Sequence, residues 1–124
     1  HQWDYKQLLS ELENTESAHH CVFEKMKVLL KIRIQQPAFH PNATQFTLHL
    51  GDSIFGFWRQ SADRDQSIFC ISNITSNTAE VPISQINLTL TEEWRDLISK
   101  NKVDDPNGSL ILSPYQTVWI SNRF

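Results

Sequence analysis

The amino-acid sequence predicts an α+β fold, two N-terminal helices followed by an antiparallel β-sandwich, and three observations predict it. Apolar residues recur at helical spacing as far as Gln36, Pro37 stops that pattern, and from Phe46 onward the period drops to two, with polar turns between short β-branched or aromatic runs. A chain of 124 residues, 40 % hydrophobic and 20 % charged, can bury one real core.

Between Asp4 and Glu13 the residues Tyr5, Leu8, Leu9 and Leu12 fall on one helical stripe, and Asp4 can cap the first turn. Asn14 and Thr15 end this helix, and Ser17 or Thr15 can cap a second one running to about Gln36, where Pro37 forbids continuation. The second helix is apolar on two sides. Val22, Met26 and Leu29 form one stripe with Phe23 and Leu30 beside it, and Cys21, Val28 and Ile32 form another. Such a helix wants two partners, of which the following β region supplies one.

A domain boundary is expected in the loop from Pro37 to Thr44, dividing a helical segment 1–38 from an antiparallel β domain 39–124. Phe46, Leu48 and Leu50 alternate with Thr47 and His49 and predict the first strand, ended by Gly51-Asp52. Ile54 to Ser61 and Gln66 to Asn73 predict a hairpin closed by the polar ADRDQ connection. Val81 to Leu90, Trp94 to Ile98, Leu110 to Leu112 and Gln116 to Ile120 predict the remaining strands.

A formal net charge of −3, with Lys and Arg scattered along the chain, excludes a phosphate-backbone footprint and so argues against nucleic-acid binding. No run approaches the roughly 20 apolar residues of a membrane span, and HQWDYKQ lacks the basic start and apolar run of a signal peptide. Cys21 and Cys70 lie in apolar runs without a C-x-x-C partner, which predicts two buried thiols and a cytoplasmic, reducing location. In that setting the N-x-S/T triplets at Asn42, Asn73, Asn87 and Asn107 carry no message. Residue 1 is His and Met26 is the sole methionine, so the chain is expected to be a fragment of something longer.

No constellation carries catalysis. His19, His20 and Cys21 are neighbours on a helix and point about 100° apart, so they do not converge on a metal, and no metal or cofactor is expected. Asp63/Asp65, Glu92/Glu93 and Asp104/Asp105 lie in hydrophilic turns, unlike the facing carboxyls of glycosidases, and read as solvated acids. Nucleophile elbows, phosphate loops and H-E-x-x-H are absent, and three glycines leave little room for a phosphate cradle. The weak sugar-binding candidates are Trp58 and Trp94; Trp119 was weighed beside them, and strand alternation assigns most of the aromatic residues to packing.

Five strings, HQWDY, KVLLKIRIQQPAFHPNATQ, FGFWRQSADRDQSIFCISNIT, INLTLTEEWRDLIS and LILSPYQTVWISNRF, cover almost the whole chain. Together the sequence resembles the C-terminal part of the sucrose-phosphorylase-like enzymes among the α-amylase-type glycoside hydrolases, glycoside hydrolase family 13. IRIQQPAFHPNA and SPYQTVWI carry most of that resemblance, and SKNKVDDPNGS departs from it. The resemblance implies a (β/α)8 barrel that precedes His1 and holds every catalytic carboxylate, followed by a small β domain. It implies retaining glucosyl transfer between a sucrose-like glucoside and phosphate by the parent enzyme, and none by this chain. The first partner it implies is the missing barrel of the same polypeptide, sealed against the two-sided helix. Alone, the chain would cover that helix, Ser17 to Gln36, by homo-oligomerisation; a carbohydrate ligand or a free-standing interaction role is the alternative.

Overall fold

A computed structural model describes residues 2–86, 88, 92–103, 105 and 107–124. The chain forms two compact units, His1–Gln35 and Gln36–Phe124.

The first unit is a helix pair, α1 (Tyr5–Glu13) and α2 (Ala18–Ile34). Asp4 caps α1 by accepting the N–H of Gln7 at 3.0 Å, and Ser17 caps α2 by accepting the N–H of His20 at 3.0 Å. Ser17 also donates its hydroxyl to the Glu11 carbonyl, and His20 Nδ1 meets the Leu12 carbonyl at 2.6 Å. Residues opening the second helix therefore satisfy carbonyls that the end of the first leaves free. Neither helix contains a buried residue. Val22, Phe23, Met26, Val28, Leu30 and Ile34 are all exposed on α2. Cys21, expected in a core, is exposed as well. Helical periodicity marks a residue as apolar but does not supply the partner that would bury it.

The second unit begins with a 3-10 turn, Pro37–Phe39, and continues through β1 (Thr44–Leu48), β2 (Ile54–Gln60), β3 (Ser67–Asn73), β4 (Ala79–Pro82), β5 (Arg95–Asp96), β6 (Ser109–Leu112) and β7 (Thr117–Ser121). Five strands form one antiparallel sheet in the order β1-β2-β3-β7-β5, and β4 pairs with β6 in a second. Ile54, Phe69, Ile71, Val118 and Ile120 lie on one face of the large sheet by register and pack with Val81 and Leu112 of the small one, together with Ile83, Ile86 and Trp94. This is the expected sandwich.

β3 is buried on both faces, since Ile68 and Cys70 on the opposite side are buried too, and this explains its unbroken SIFCIS run. The 3-10 turn lies over that opposite face. Ala38 is buried, Phe39 meets the Trp119 ring edge-on at 5.0 Å, and Arg59 donates to the carbonyls of Ala38 at 3.0 Å and His40 at 2.6 Å.

Strand boundaries differ from the sequence reading in three places. β1 starts at Thr44 and ends at Leu48. The strand expected over Val81 to Leu90 is instead β4 at Ala79–Pro82 followed by a 3-10 turn at Ile83–Gln85, and residues 87, 89 and 90 of that run lie outside the described residues. The strand expected over Trp94 to Ile98 shrinks to Arg95–Asp96. There the Asp96 carboxylate accepts the N–H groups of Ile98 and Ser99 at 3.2 and 3.0 Å, turning the backbone out of the ladder.

Candidate functional site

Trp58 sits in a cross-strand row in which Phe46, Trp58, Phe69 and Ile120 are register neighbours. Its ring stacks on Phe46 at 4.7 Å and on Phe69 at 5.7 Å. Its Nε1 is buried without a hydrogen-bond partner. Trp94 is 5 % exposed and packs its ring on Phe69 at 5.5 Å. Both tryptophans thus join one aromatic group around Phe69, whereas a pyranose platform needs an open ring face. Trp119 lies on the other side of the sheet, against Phe39.

Residues of nucleophile, base and acid type do meet in one place. Pro37, His40, Ala43, Ser61, Ala62 and Asp63 line a shallow hollow of about 260 Å³. The Ser61 hydroxyl donates to the Asp63 carboxylate at 2.5 Å and accepts the N–H of Gln66 at 3.0 Å, while His40 Nδ1 accepts the N–H of Asn42 at 3.2 Å. An activated serine must donate to its base. Here it donates to a carboxylate that also takes the Asp65 N–H at 3.2 Å, so the set is the lock of the β2–β3 turn. The hydroxyl of Ser61 holds the Asp63 carboxyl below its usual range.

The other acids are held by neighbours on the surface. Arg95 lies 2.8 Å from Glu93 and depresses its carboxyl, Lys102 adds a second cation at 3.6 Å, and Lys27 does the same for Glu24 at 2.7 Å. Asp104, half of the third acidic pair, lies outside the described residues. His19 faces Glu11 at 3.7 Å and the edge of the Trp3 ring. Among the described residues no three His, Cys, Asp or Glu side chains group to hold a metal ion.

Cys70 is 2 % exposed, and burial pushes its thiol from 9.0 up to about 12, against a small opposing pull from Arg59. The folded chain therefore resists ionising this group, and stability from its burial is complete below pH 9 and falls as the pH rises from 9 toward 12. Titration with a thiol reagent at pH 8 is expected to modify Cys21 quickly in the native chain and Cys70 only after denaturant is added. Rapid native modification of both would refute this.

Three buried polar residues that the sequence reading passed over organise the β unit. Gln66 accepts the Ala38 N–H at 3.0 Å and donates to Gln36 at 2.6 Å, Ser121 at 3.3 Å and the Arg123 carbonyl at 3.4 Å. Asn73 donates to the carbonyls of Asn77 at 2.7 Å, Leu112 at 3.2 Å and Ser113 at 3.0 Å, and its own oxygen accepts the N–H and hydroxyl of Thr75. The Asn73-Ile74-Thr75 triplet is thus a closed loop clamp. Asp96 accepts the Trp119 N–H at 2.8 Å besides its own turn. Only Asn73 carried a local signal, a polar side chain with a hydroxyl two residues on.

No known sequence family matches the chain, and neither does any curated protein. Solved structures do. An Anoxybacillus α-amylase is similar with a TM-score of 0.67 and 19 % identity, over 87 % of this chain and 23 % of that one. An α-amylase from Geobacillus thermoleovorans, solved with acarbose, gives 0.66 and 18 %, over 89 % of this chain and 24 % of that one. A trehalose-6-phosphate hydrolase from Bacillus licheniformis gives 0.65 and 15 %, over 91 % of this chain and 20 % of that one. The chain spans about a fifth to a quarter of the length of these enzymes, and over that span it has their fold: helices, then a β-sandwich.

Proposed function

We propose that this chain is the non-catalytic, C-terminal packing part of a glycoside-processing enzyme of the α-amylase type, working in the cytoplasm. The observation that carries the reading is the structural likeness itself, which covers nearly nine-tenths of this chain and under a quarter of each α-amylase. In proteins so much longer, a part of this size serves a larger catalytic body. The exposed apolar residues of α2, from Val22 to Ile34, support the same reading, because a helix apolar on several sides is stabilised by neighbours on several sides. The sequence resemblance in IRIQQPAFHPNA and SPYQTVWI favours a sucrose-phosphorylase-like parent, one that moves a glucosyl unit between a sucrose-like glucoside and phosphate.

In this role α1 and α2 finish the barrel, residues 39–124 form the C-terminal β domain, and the chain does no chemistry itself. Two measurements test the proposal. Reading the coding sequence upstream of the His1 codon is expected to find a barrel in the same frame, with the carboxylates that this chain lacks; a stop codon or an unrelated domain there would sink it. The purified chain is expected to release no glucose 1-phosphate from sucrose and inorganic phosphate, and turnover above a heat-denatured control would reject the non-catalytic role.

A further inference from the structure

Strand β1 is one edge of the five-stranded sheet. It pairs with β2 one residue to one, from Thr44 opposite Gln60 to Leu48 opposite Gly56, without a bulge. Among the described residues, no backbone hydrogen bond reaches β1 from outside that ladder. Four of its five residues are exposed. Edge strands in monomeric proteins are blunted by charge, proline, bulges or shortness. β1 has none of these: no Asp, Glu, Lys or Arg occurs between Gln35 and Gly51, and no proline lies within the strand. The opposite edge is protected. There β5 is two residues long and is bridged at Arg95 by Lys102.

Phe46, the middle residue of β1, identifies the occupant. One side of its ring lies against Trp58 at 4.7 Å, and Trp58 in turn stacks on Phe69, yet Phe46 remains 44 % exposed. The ladder of rings thus stops at the sheet edge with an open end. An antiparallel pairing about a two-fold axis through Phe46 sets Phe46 opposite its own copy, Thr44 opposite Leu48, and Gln45 opposite Thr47. It continues the aromatic row across the axis and supplies the outward backbone groups with partners. With no like charge in either strand, nothing repels the two copies.

We propose that β1 is a strand-pairing interface through which two copies of this chain associate, in the register centred on Phe46. Cross-strand neighbours make the register testable, because like charges directly opposite each other disfavour pairing and opposite charges favour it. The double substitution Gln45→Lys with Thr47→Lys places two like-charged pairs across the axis, and Gln45→Glu with Thr47→Lys places two complementary ones.

Sedimentation velocity of the full chain over a concentration series is expected to show a mass rising from one chain toward two. The lysine pair is expected to weaken association about tenfold or more, and the Glu/Lys pair to restore it. Hydrogen exchange is expected to show protection within Thr44–Leu48 that grows with chain concentration, a readout independent of any variant's folding. A chain monomeric throughout, or β1 amides indifferent to concentration, would overturn the interface. So would association that survives the lysine pair but is lost with Met26→Glu in α2, which would place the contact on the helix.

Discussion

Replacing Phe69 by alanine is expected to remove about 4 kcal/mol from the stability of the β unit, the loss typical of a large aromatic side chain taken from a packed core. Phe69 is 1 % exposed, and its ring is where Trp58 and Trp94 meet. Deleting it leaves a cavity bounded by two rigid indoles that cannot collapse without leaving their rotamers. A domain of this size has only about 5–15 kcal/mol of stability. Phe69→Ala should therefore shift the urea midpoint by about 2 M or more at an ordinary denaturant slope. Both indoles should report the change as red-shifted fluorescence at lower denaturant. A midpoint moved by less than a quarter of that amount would show that Phe69 is not the centre of the core.

The second large effect is expected at Asp96. Its carboxylate accepts three backbone N–H groups, from Ile98, Ser99 and Trp119, and so joins the turn after β5 to the middle of β7. Alanine leaves those donors without an acceptor, and the Trp119 N–H in particular faces the buried end of the turn. An unmet buried donor costs about 1–3 kcal/mol, so the total loss is expected to be about 3 kcal/mol. Asparagine should lose less than alanine, because its one oxygen can keep the Trp119 bond while its amide nitrogen turns a donor toward the Ser99 N–H. Urea denaturation of the two variants checks this order. Equal losses for alanine and asparagine would mean that the carboxylate acts through charge alone.

What could be read from the sequence was what neighbouring residues decide among themselves. Asp4, Ser17 and Pro37 punctuate the helices by capping and by proline geometry, both local effects, and the observed bounds fall within a residue or two of the expected ones. The β2–β3 hairpin was legible because Ser61 and Asp63 close its turn with side chains only two residues apart. Distant contacts were another matter. The short β5 depends on Asp96 reaching a strand more than 20 residues away, and no period in the WRDLIS run announces that. Cys21 was misread for the same reason, since an apolar pattern measures what a helix would gain from a partner and not whether one is present.

The site candidates show the same division. Trp58 and Trp94 were noticed for their chemistry, but their surroundings are fixed by Phe69 and Phe46 on other strands, and only the register brings those rings together. Gln66 looked like an ordinary turn residue at the end of ADRDQ. It became a hub because Gln36, Ser121 and Arg123 converge on it from both extremes of the β unit.

That convergence bears on how such a unit travels between proteins. Gln36 is the first residue of the β unit and Arg123 is one from its last, and a single side chain holds both. A body whose two ends meet adds little chain entropy to a host loop when spliced into it, and it tolerates being reopened elsewhere. The sandwich is therefore a portable cassette, one that can be appended, inserted or circularly permuted without disturbing the core around Phe69.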